Sequence, residues 1–340
     1  MNLSPSFHDR LRQLFLLALI LLLIFLLFHS LRVFLPGILG SVTFYILSRK
    51  YYMGLIDRKK WKPGWTAGLF LLFYLIALGV PIYLIVALLR PKVHGFLSDP
   101  QKYVDMFKHA VETIENRYHY DILGPNTLNS VVERLSNIIP KLLNSTTNII
   151  FNLAIMLFLL YYLLVNGKEI EAWCRKITPL KTANINLLVE ETQKSIKANA
   201  IGIPLISIIQ GITATIGYYI FGVPEFLIWG MLTGLFAFFP MVGTMVIWVP
   251  IVIFMFASGQ TWPATGVLLY SLLVTGNVDS LARMTLLKKI GNVHPVVTIL
   301  GVISGLSLFG FIGLIFGPLL ISYIAVLFRI YLNEFSPDAV

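Results

Sequence analysis

The stretch IGIPLISIIQGITATIGYYIF occupies residues 201–221 and contains no formally charged side chain. It opens a run rich in Leu, Ile, Val, Phe and Gly that continues to residue 330. About 20 apolar residues in a helix cover the ~30 Å hydrocarbon core of a bilayer, so this run predicts membrane spans. An ionisable side chain at membrane depth is costly and usually lines a polar path. The first candidates for function are therefore the charged residues of this run, Glu225, Asp279, Arg283, Lys288, Lys289 and Arg329.

The composition also indicates a membrane protein with several helices. Hydrophobic residues make up 57% of the 340 residues, charged residues make up 12%, and the mean hydropathy is +0.81. These values lie outside the soluble globular class. The net charge of +10 resides in short basic clusters between apolar runs, a pattern that argues against nucleic acid as a partner. With Cys174 as the single cysteine, we expect no disulfide, no metal site and no cofactor, and we expect membrane lipid as a partner.

The first apolar runs, at about 13–31, 33–47 and 65–89, define an N-terminal membrane domain, residues 1–89. No small-residue cleavage site follows the first run, so we interpret it as a retained span. Arg32 and a Pro-Gly pair separate the first two runs, which predicts a tight hairpin with Pro36 near a helix start. The loop after the second run is strongly basic, which places it and the N-terminus in the cytoplasm.

Residues 90–145 form a polar segment of domain size, which we expect to lie outside the cytoplasm. Apolar residues recur at gaps of three and four from Val104 to Tyr118, which predicts an amphipathic helix. A second such helix follows the Gly-Pro break at 124–125. The two helices form either a self-contained hairpin or a contact between subunits.

The segment 146–199 combines one span with a helix on the cytoplasmic side. The apolar run at 147–165 is long enough to cross the membrane, and basic residues follow it. A helix from about 184 to 199 is amphipathic, and we expect it to lie along the membrane surface, apart from the next span. It serves either as a linker or as an element that moves with the transport core.

Residues 200–332 contain two similar units, and a short cytoplasmic tail, 333–340, follows. A helix of 14 residues reaches only ~21 Å, so a pair of short apolar helices predicts a re-entrant hairpin. Inverted units with such broken helices are typical of secondary transporters. We therefore predict an all-α integral membrane protein, a polytopic helical bundle of about five to eight spans. In each unit one run precedes a pair of helices: 201–221 before 226–239 and 243–257, and 262–278 before 296–309 and 311–332. The last run, 311–332, is also long enough to span the membrane, so the second pair is either a re-entrant hairpin or includes a full span.

The two breaks, which we name the first hairpin tip (239–244) and the second hairpin tip (304–313), are the strongest candidates for a transport site. The freed backbone groups of a broken helix cannot face lipid, so they line a cavity or contact a ligand. Small residues also let membrane helices approach closely, and helix packing is the alternative role for the glycines. The candidate pathway residues at the tips are Pro240, Gly243, Thr244, Ser304, Gly305, Ser307, Gly310 and Gly313.

Asp279 and Arg283 are four residues apart, so on a continuous helix they share a face and can pair. The pair either anchors a helix end or provides a carboxylate that binds Na⁺ or exchanges a proton. Glu225 follows a Gly-Val-Pro turn at a helix start, where an acid suits the helix dipole, and it is a candidate gate or coupling residue. His294 precedes a proline and is either a gate or part of a turn.

Several short motifs occur together in the C-terminal half, in a specific order and spacing. They are Gln210-Gly211, Phe221-Gly222-Val223-Pro224, Phe239-Pro240-Met241-Val242-Gly243, Asp279 with Arg283, His294-Pro295, the run from Gly305 to Gly313, and Gly317-Pro318. With them the chain resembles the autoinducer-2 exporter family, also called PerM-type permeases, over about 200–332. The resemblance implies a bacterial inner-membrane permease that forms a homo-oligomer, and it adds Gln210 to the candidate pathway. Some members are credited with autoinducer-2 export and others with Na⁺/H⁺ exchange.

We therefore predict a secondary transporter that works by alternating access across the cytoplasmic membrane. Its cargo is a small polar solute such as autoinducer-2, or a monovalent cation exchanged for protons. The alternative is a non-transporting scaffold that binds a partner through residues 90–145. Because the sequence contains no Gly-Lys-Ser/Thr loop and no HExxH or GxSxG motif, we expect neither ATP drive nor an enzyme.

Overall fold

The computed structural model describes residues 7–98, 105, 108, 109, 111–113, 115, 146–239, 243–291, 295–309 and 312–335. Every regular element in these ranges is helical, which confirms the predicted all-α class. Five of the described helical stretches are long and apolar enough to cross a membrane, so the protein is polytopic. The helices are α1 (Phe7–Leu31), α2 (Leu35–Met53), α3 (Pro63–Ser98), α4 (Thr146–Ile177), α5 (Thr182–Ile220), α6 (Phe226–Phe236), α7 (Met245–Ala257), α8 (Thr261–Tyr270), α9 (Gly276–Gly291), α10 (Pro295–Phe309) and α11 (Gly313–Phe335).

The predicted hairpin between the first two apolar runs is wrong. A 3₁₀ turn, Arg32–Phe34, joins α1 to α2, and Pro36 lies in the first turn of α2 as predicted. Leu31 and Leu35, which flank this turn, both have right-handed helical dihedral angles, so the chain continues forward in a helical conformation. The two helices do not pack along each other. The large apolar side chains of α1 are consequently exposed along most of its length.

The helices α2, α3 and α4 pack together as one unit, which we call the N-terminal unit. The Arg49 guanidinium donates two hydrogen bonds to the Glu171 carboxylate, and the Tyr45 hydroxyl donates a third at 2.7 Å. A Cβ at Gly167 would lie 2.2 Å from the Tyr45 hydroxyl oxygen, so α2 and α4 approach closely there. This charged cluster joins α2 to α4. The buried core of the unit consists of Tyr45, Tyr52, Ala67, Leu160 and Leu164.

The long helix α5 is the centre of the C-terminal part. It packs against α2, α6, α8, α9 and α11. The prediction of a separate surface helix at 184–199 is wrong, because α5 continues without a break from Thr182 to Ile220. Pro204 lies inside it, and a membrane helix tolerates such a proline because neighbouring helices satisfy the freed backbone groups. The amphipathic half of α5 and the following span therefore form one element.

The first hairpin tip lies between two helices, as predicted, whereas residues 304–309 of the second tip still belong to α10 and only its end follows that helix. The first tip joins α6 to α7, and the second joins α10 to α11. The helix α6 packs on α5, α7 packs on α8, and α10 packs along α11. A π-helical turn, Ser271–Thr275, connects α8 to α9 in one helical stretch. Membrane re-entry of the hairpins and inversion of the two units stay predictions, as do the domain boundaries; most of 90–145 lies outside the described residues.

Candidate functional site

An ion pair on α9 is the first element of the candidate site. The Arg283 Nε atom lies 3.0 and 3.1 Å from the two carboxylate oxygens of Asp279, as the four-residue spacing predicts. The side chains are only 11% exposed for Arg283 and 13% for Asp279. Burial strengthens the attraction between the two charges, and it makes the loss of either partner costly.

The same arginine connects α9 to the end of α6, just before the first hairpin tip. Arg283 Nη2 donates a hydrogen bond of 2.6 Å to the carbonyl oxygen of Ala237, which follows the last residue of α6. Carbonyl groups at a helix C-terminus have no partner within the helix, so a guanidinium is a suitable donor for them. Asp279, Arg283 and the end of α6 therefore form one hydrogen-bonded group.

The first tip requires a glycine at position 243. A Cβ at Gly243 would lie 1.9 Å from the Phe236 carbonyl oxygen and 2.6 Å from that of Phe239. The Gly243 N–H donates a hydrogen bond of 3.2 Å to the Phe239 carbonyl. Thr244 is buried and occupies the position before the first residue of α7. Any larger residue at 243 would force the chain ends of α6 and α7 apart.

The two hairpins meet in an apolar cluster, which we call the tip cluster. Ile203 of α5, Val302 of α10 and Leu314 of α11 are buried together in it. Phe238, the residue just before the first tip, and Leu306, a second-tip residue on α10, pack against this cluster. Phe238 directly follows Ala237, whose carbonyl binds Arg283. The tip cluster and the ion pair are therefore neighbours along the chain, and they share the end of α6.

The second tip owes its close packing to glycines. A Cβ at Gly305 would lie 2.2 Å from the Gly313 carbonyl oxygen, and one at Gly317 would lie 1.8 Å from that of Gly301. These glycines let the backbones of α10 and α11 touch, which supports the packing role that we gave as the alternative. Ser304 and Ser307 are exposed on α10.

Gln210, which the family resemblance added to the pathway, is completely buried on α5. Its Nε2 atom donates a hydrogen bond of 3.2 Å to the carbonyl of Thr275, the last residue of the π-helical turn. A π-helical turn inside an α-helix is frequently part of a functional site. Asp279 lies four residues beyond Thr275, so Gln210 and the ion pair contact the same helical stretch.

Other predicted site residues lie elsewhere or outside the described part. Glu225 is exposed, has a left-handed backbone (φ 54°) and occupies the position before α6, which fits the helix-start interpretation. Pro240, His294 and Gly310 lie outside the described residues, and their predicted roles stay predictions.

Two participants of the site were missed by sequence reasoning. Ala237 contributes a backbone carbonyl, which residue type does not reveal. Phe238 is one phenylalanine among many, and only the folded chain shows that it contacts the other hairpin. Ser195 and Asn199 of α5 are fully buried polar residues that the sequence analysis also did not single out. A search for polar residues at helical spacing before Gln210 could have found them.

Comparison with known proteins assigns the family. The family model described as "AI-2E family transporter" matches residues 14–333. The chain belongs to the AI-2E transporter family. This match covers both the N-terminal unit and the two hairpins, whereas the motifs covered only the C-terminal half in detail.

Several relatives of this AI-2E family chain are named as transport proteins. A "Putative transport protein" of Aquifex aeolicus is 23% identical over 315 residues, which are 86% of this chain and 89% of that protein. A protein of the same name from Methanothermobacter thermautotrophicus is 25% identical over 55% of this chain and 56% of its own length. One from Buchnera aphidicola is 33% identical over 51% of this chain and 48% of its own length. Together with the five candidate spans, the family establishes a multi-pass membrane protein with a permease or transporter role.

Proposed function

We propose that this chain is a secondary transporter that exports a small polar solute, such as autoinducer-2, in exchange for protons. The proposal places it in the cytoplasmic membrane as a homo-oligomer. Transport proceeds by alternating access, and the tip cluster closes the path between the two sides. Membership in the AI-2E family supports transport itself.

The observation that carries the proposal is the buried Asp279–Arg283 pair, which is hydrogen-bonded to the Ala237 carbonyl just before the first tip. A proton that arrives at Asp279 neutralises the carboxylate and removes the charge attraction that holds Arg283. Arg283 can then turn from Asp279 toward a polar group of the solute. Because Arg283 also binds the Ala237 carbonyl, this exchange loosens the end of α6 next to the tip cluster.

A polar solute fits this site better than a bare cation does. Both carboxylate oxygens of Asp279 already accept from Arg283, so a cation at Asp279 would face a like charge within a few ångströms. A solute with hydroxyl groups can instead exchange hydrogen bonds with the freed guanidinium. We therefore do not propose exchange of Na⁺ for protons, and the experiment below distinguishes it from solute export.

The test is flux in proteoliposomes of the purified protein, with a pH gradient, an internal pH dye and Na⁺ added or withheld. We expect autoinducer-2 to move only in vesicles that contain the protein, and proton movement to accompany it. Asp279→Asn should reduce the proton-coupled flux to the level of protein-free vesicles. The variant should remain folded with a lower melting temperature, because the amide oxygen still accepts a hydrogen bond from Arg283 but no longer balances its charge. Flux is therefore compared per folded protein.

Glu190→Gln is the matched control for this variant. Glu190 also pairs with a basic residue four positions on, Lys194, but this pair is exposed, with side chains 63% and 50% accessible. An exposed pair of this kind contributes little to stability, so the control should transport at the wild-type rate. Wild-type flux in Asp279→Asn would remove the ion pair from the mechanism. Proton movement that requires Na⁺ but no solute would show cation exchange and contradict solute export.

A further inference from the structure

One face of α5 is buried over more than four turns. Five residues on this face are successively four, four, three and four positions apart, which is the repeat of a single helix face. Each of the five is at most 2% exposed: Ser195, Asn199, Ile203, Ile206 and Gln210.

Three polar side chains on this face carry oxygens without a partner. In the part of the chain that the structure describes, Ser195 Oγ, Asn199 Oδ1 and Gln210 Oε1 are buried and accept no hydrogen bond. The amide nitrogen of Asn199 donates hydrogen bonds to the carbonyls of Ser195 and Ile315. The amide nitrogen of Gln210 donates one to the carbonyl of Thr275. Buried oxygens are nearly always hydrogen-bonded in proteins, so three unpaired ones on one helix face require an explanation.

The tip cluster divides these oxygens into two groups. Ile203 belongs to the tip cluster, and Ile206 is the next buried residue on the face. At 1.5 Å per residue, Asn199 lies ~6 Å before Ile203 along the axis, and Gln210 lies ~6 Å after Ile206. The face is therefore polar, then apolar where the two hairpins meet, then polar again.

We propose that this face of α5 is one wall of the transport path. In this inference, which rests on the proposed function, the three oxygens accept hydrogen bonds from a solute that carries hydroxyl or amine donors. The tip cluster is the gate between an inner station at Ser195 and Asn199 and an outer station at Gln210. The oxygens lack protein partners because the moving solute is their partner.

The spacing of the oxygens selects the kind of ligand. Ser195 and Gln210 are 15 positions apart in the sequence, which corresponds to ~22 Å along a helix. Ligand oxygens of a bound cation must instead converge within a few ångströms of one point. A solute that passes along the helix can use the stations one after the other, whereas a single cation site cannot include both.

The experiment compares a buried hydroxyl that has no partner with one that has a partner. Ser195→Ala removes only the unpaired Oγ, and Ser48→Ala removes an equally buried hydroxyl that lies 2.7 Å from Tyr74 Oη in the N-terminal unit. We expect Ser195→Ala to keep the wild-type melting temperature and to lose at least threefold in solute flux per folded protein. Ser48→Ala should melt at a lower temperature and transport at the wild-type rate per folded protein.

Asn199→Leu is the second variant of the test. It removes the unpaired Oδ1 together with the Nδ2 donor to the Ser195 and Ile315 carbonyls, so its melting temperature should fall. We expect at least a tenfold loss of solute flux per folded protein. Wild-type vesicles without solute flux would overturn the proposed function. Wild-type flux together with unchanged flux in Ser195→Ala and Asn199→Leu would overturn only the path along α5. Loss of Na⁺ flux with solute flux unchanged would overturn the assignment of the ligand.

Discussion

At the level of single residues, Asn152 joins a backbone group of the turn between α1 and α2 to one in the first turn of α2. Its Oδ1 atom accepts a hydrogen bond of 2.9 Å from the Gly37 N–H, and its Nδ2 atom donates one of 3.0 Å to the Val33 carbonyl. The Gly37 N–H lies in the first turn of α2 and has no partner within that helix. An asparagine on α4 therefore holds the junction in place.

We predict that Asn152→Leu lowers the free energy of unfolding by about 1–3 kcal/mol, because it removes the side chain that hydrogen-bonds to both backbone groups. Asn277→Ala is the control, since its exposed amide bonds only to the Leu273 carbonyl of its own helical stretch. That control should change the stability by less than about 0.5 kcal/mol. Thermal unfolding in detergent measures both, and equal shifts would contradict the bridging role of Asn152.

At the level of elements, α10 and α11 are held at the shortest possible separation by facing glycines. Gly301 and Gly305 lie on one helix, Gly313 and Gly317 on the other, each pair separated by three residues. A Cβ at any of the four would come within 2.4 Å of backbone on the facing helix. Lipid offers no hydrophobic drive for helix association, so such packing is a main source of hairpin stability.

We predict that Gly317→Ala destabilises the protein by about 3 kcal/mol or more, because the added carbon meets the Gly301 carbonyl oxygen and not a flexible side chain. Gly68→Ala is the matched control, since Gly68 lies in α3 with open space around its missing Cβ. The control should leave stability unchanged or raise it by up to about 1 kcal/mol. The yield and melting temperature of monodisperse protein report the difference, and a stable Gly317→Ala would refute the close packing.

At the level of the whole molecule, local patterns predicted more than distant contacts. The helical class, the position of the first tip and the Asp279–Arg283 pair all follow from spacing within one segment, so they could be read from the sequence. The Ala237 carbonyl and the partner of Phe238 depend on how separate helices pack, which spacing does not encode. The predicted α1–α2 hairpin was wrong because apolar run lengths do not determine the direction of the connecting turn.

The central claim is that the two hairpin tips separate and close again during transport. The most direct measurement is flux after the tips are linked. In a Cys174→Ser background, Phe238→Cys and Leu314→Cys would be joined by a bifunctional thiol reagent that a reductant cleaves. Ala67→Cys with Leu160→Cys, in the core of the N-terminal unit, is the control pair.

The account predicts that the tip link reduces solute flux to the level of protein-free vesicles and that the reductant restores it. The control link should leave flux unchanged, because the N-terminal unit does not need to open. Full flux with the tip link in place would contradict the account, since it would mean that the solute passes without separation of the tips.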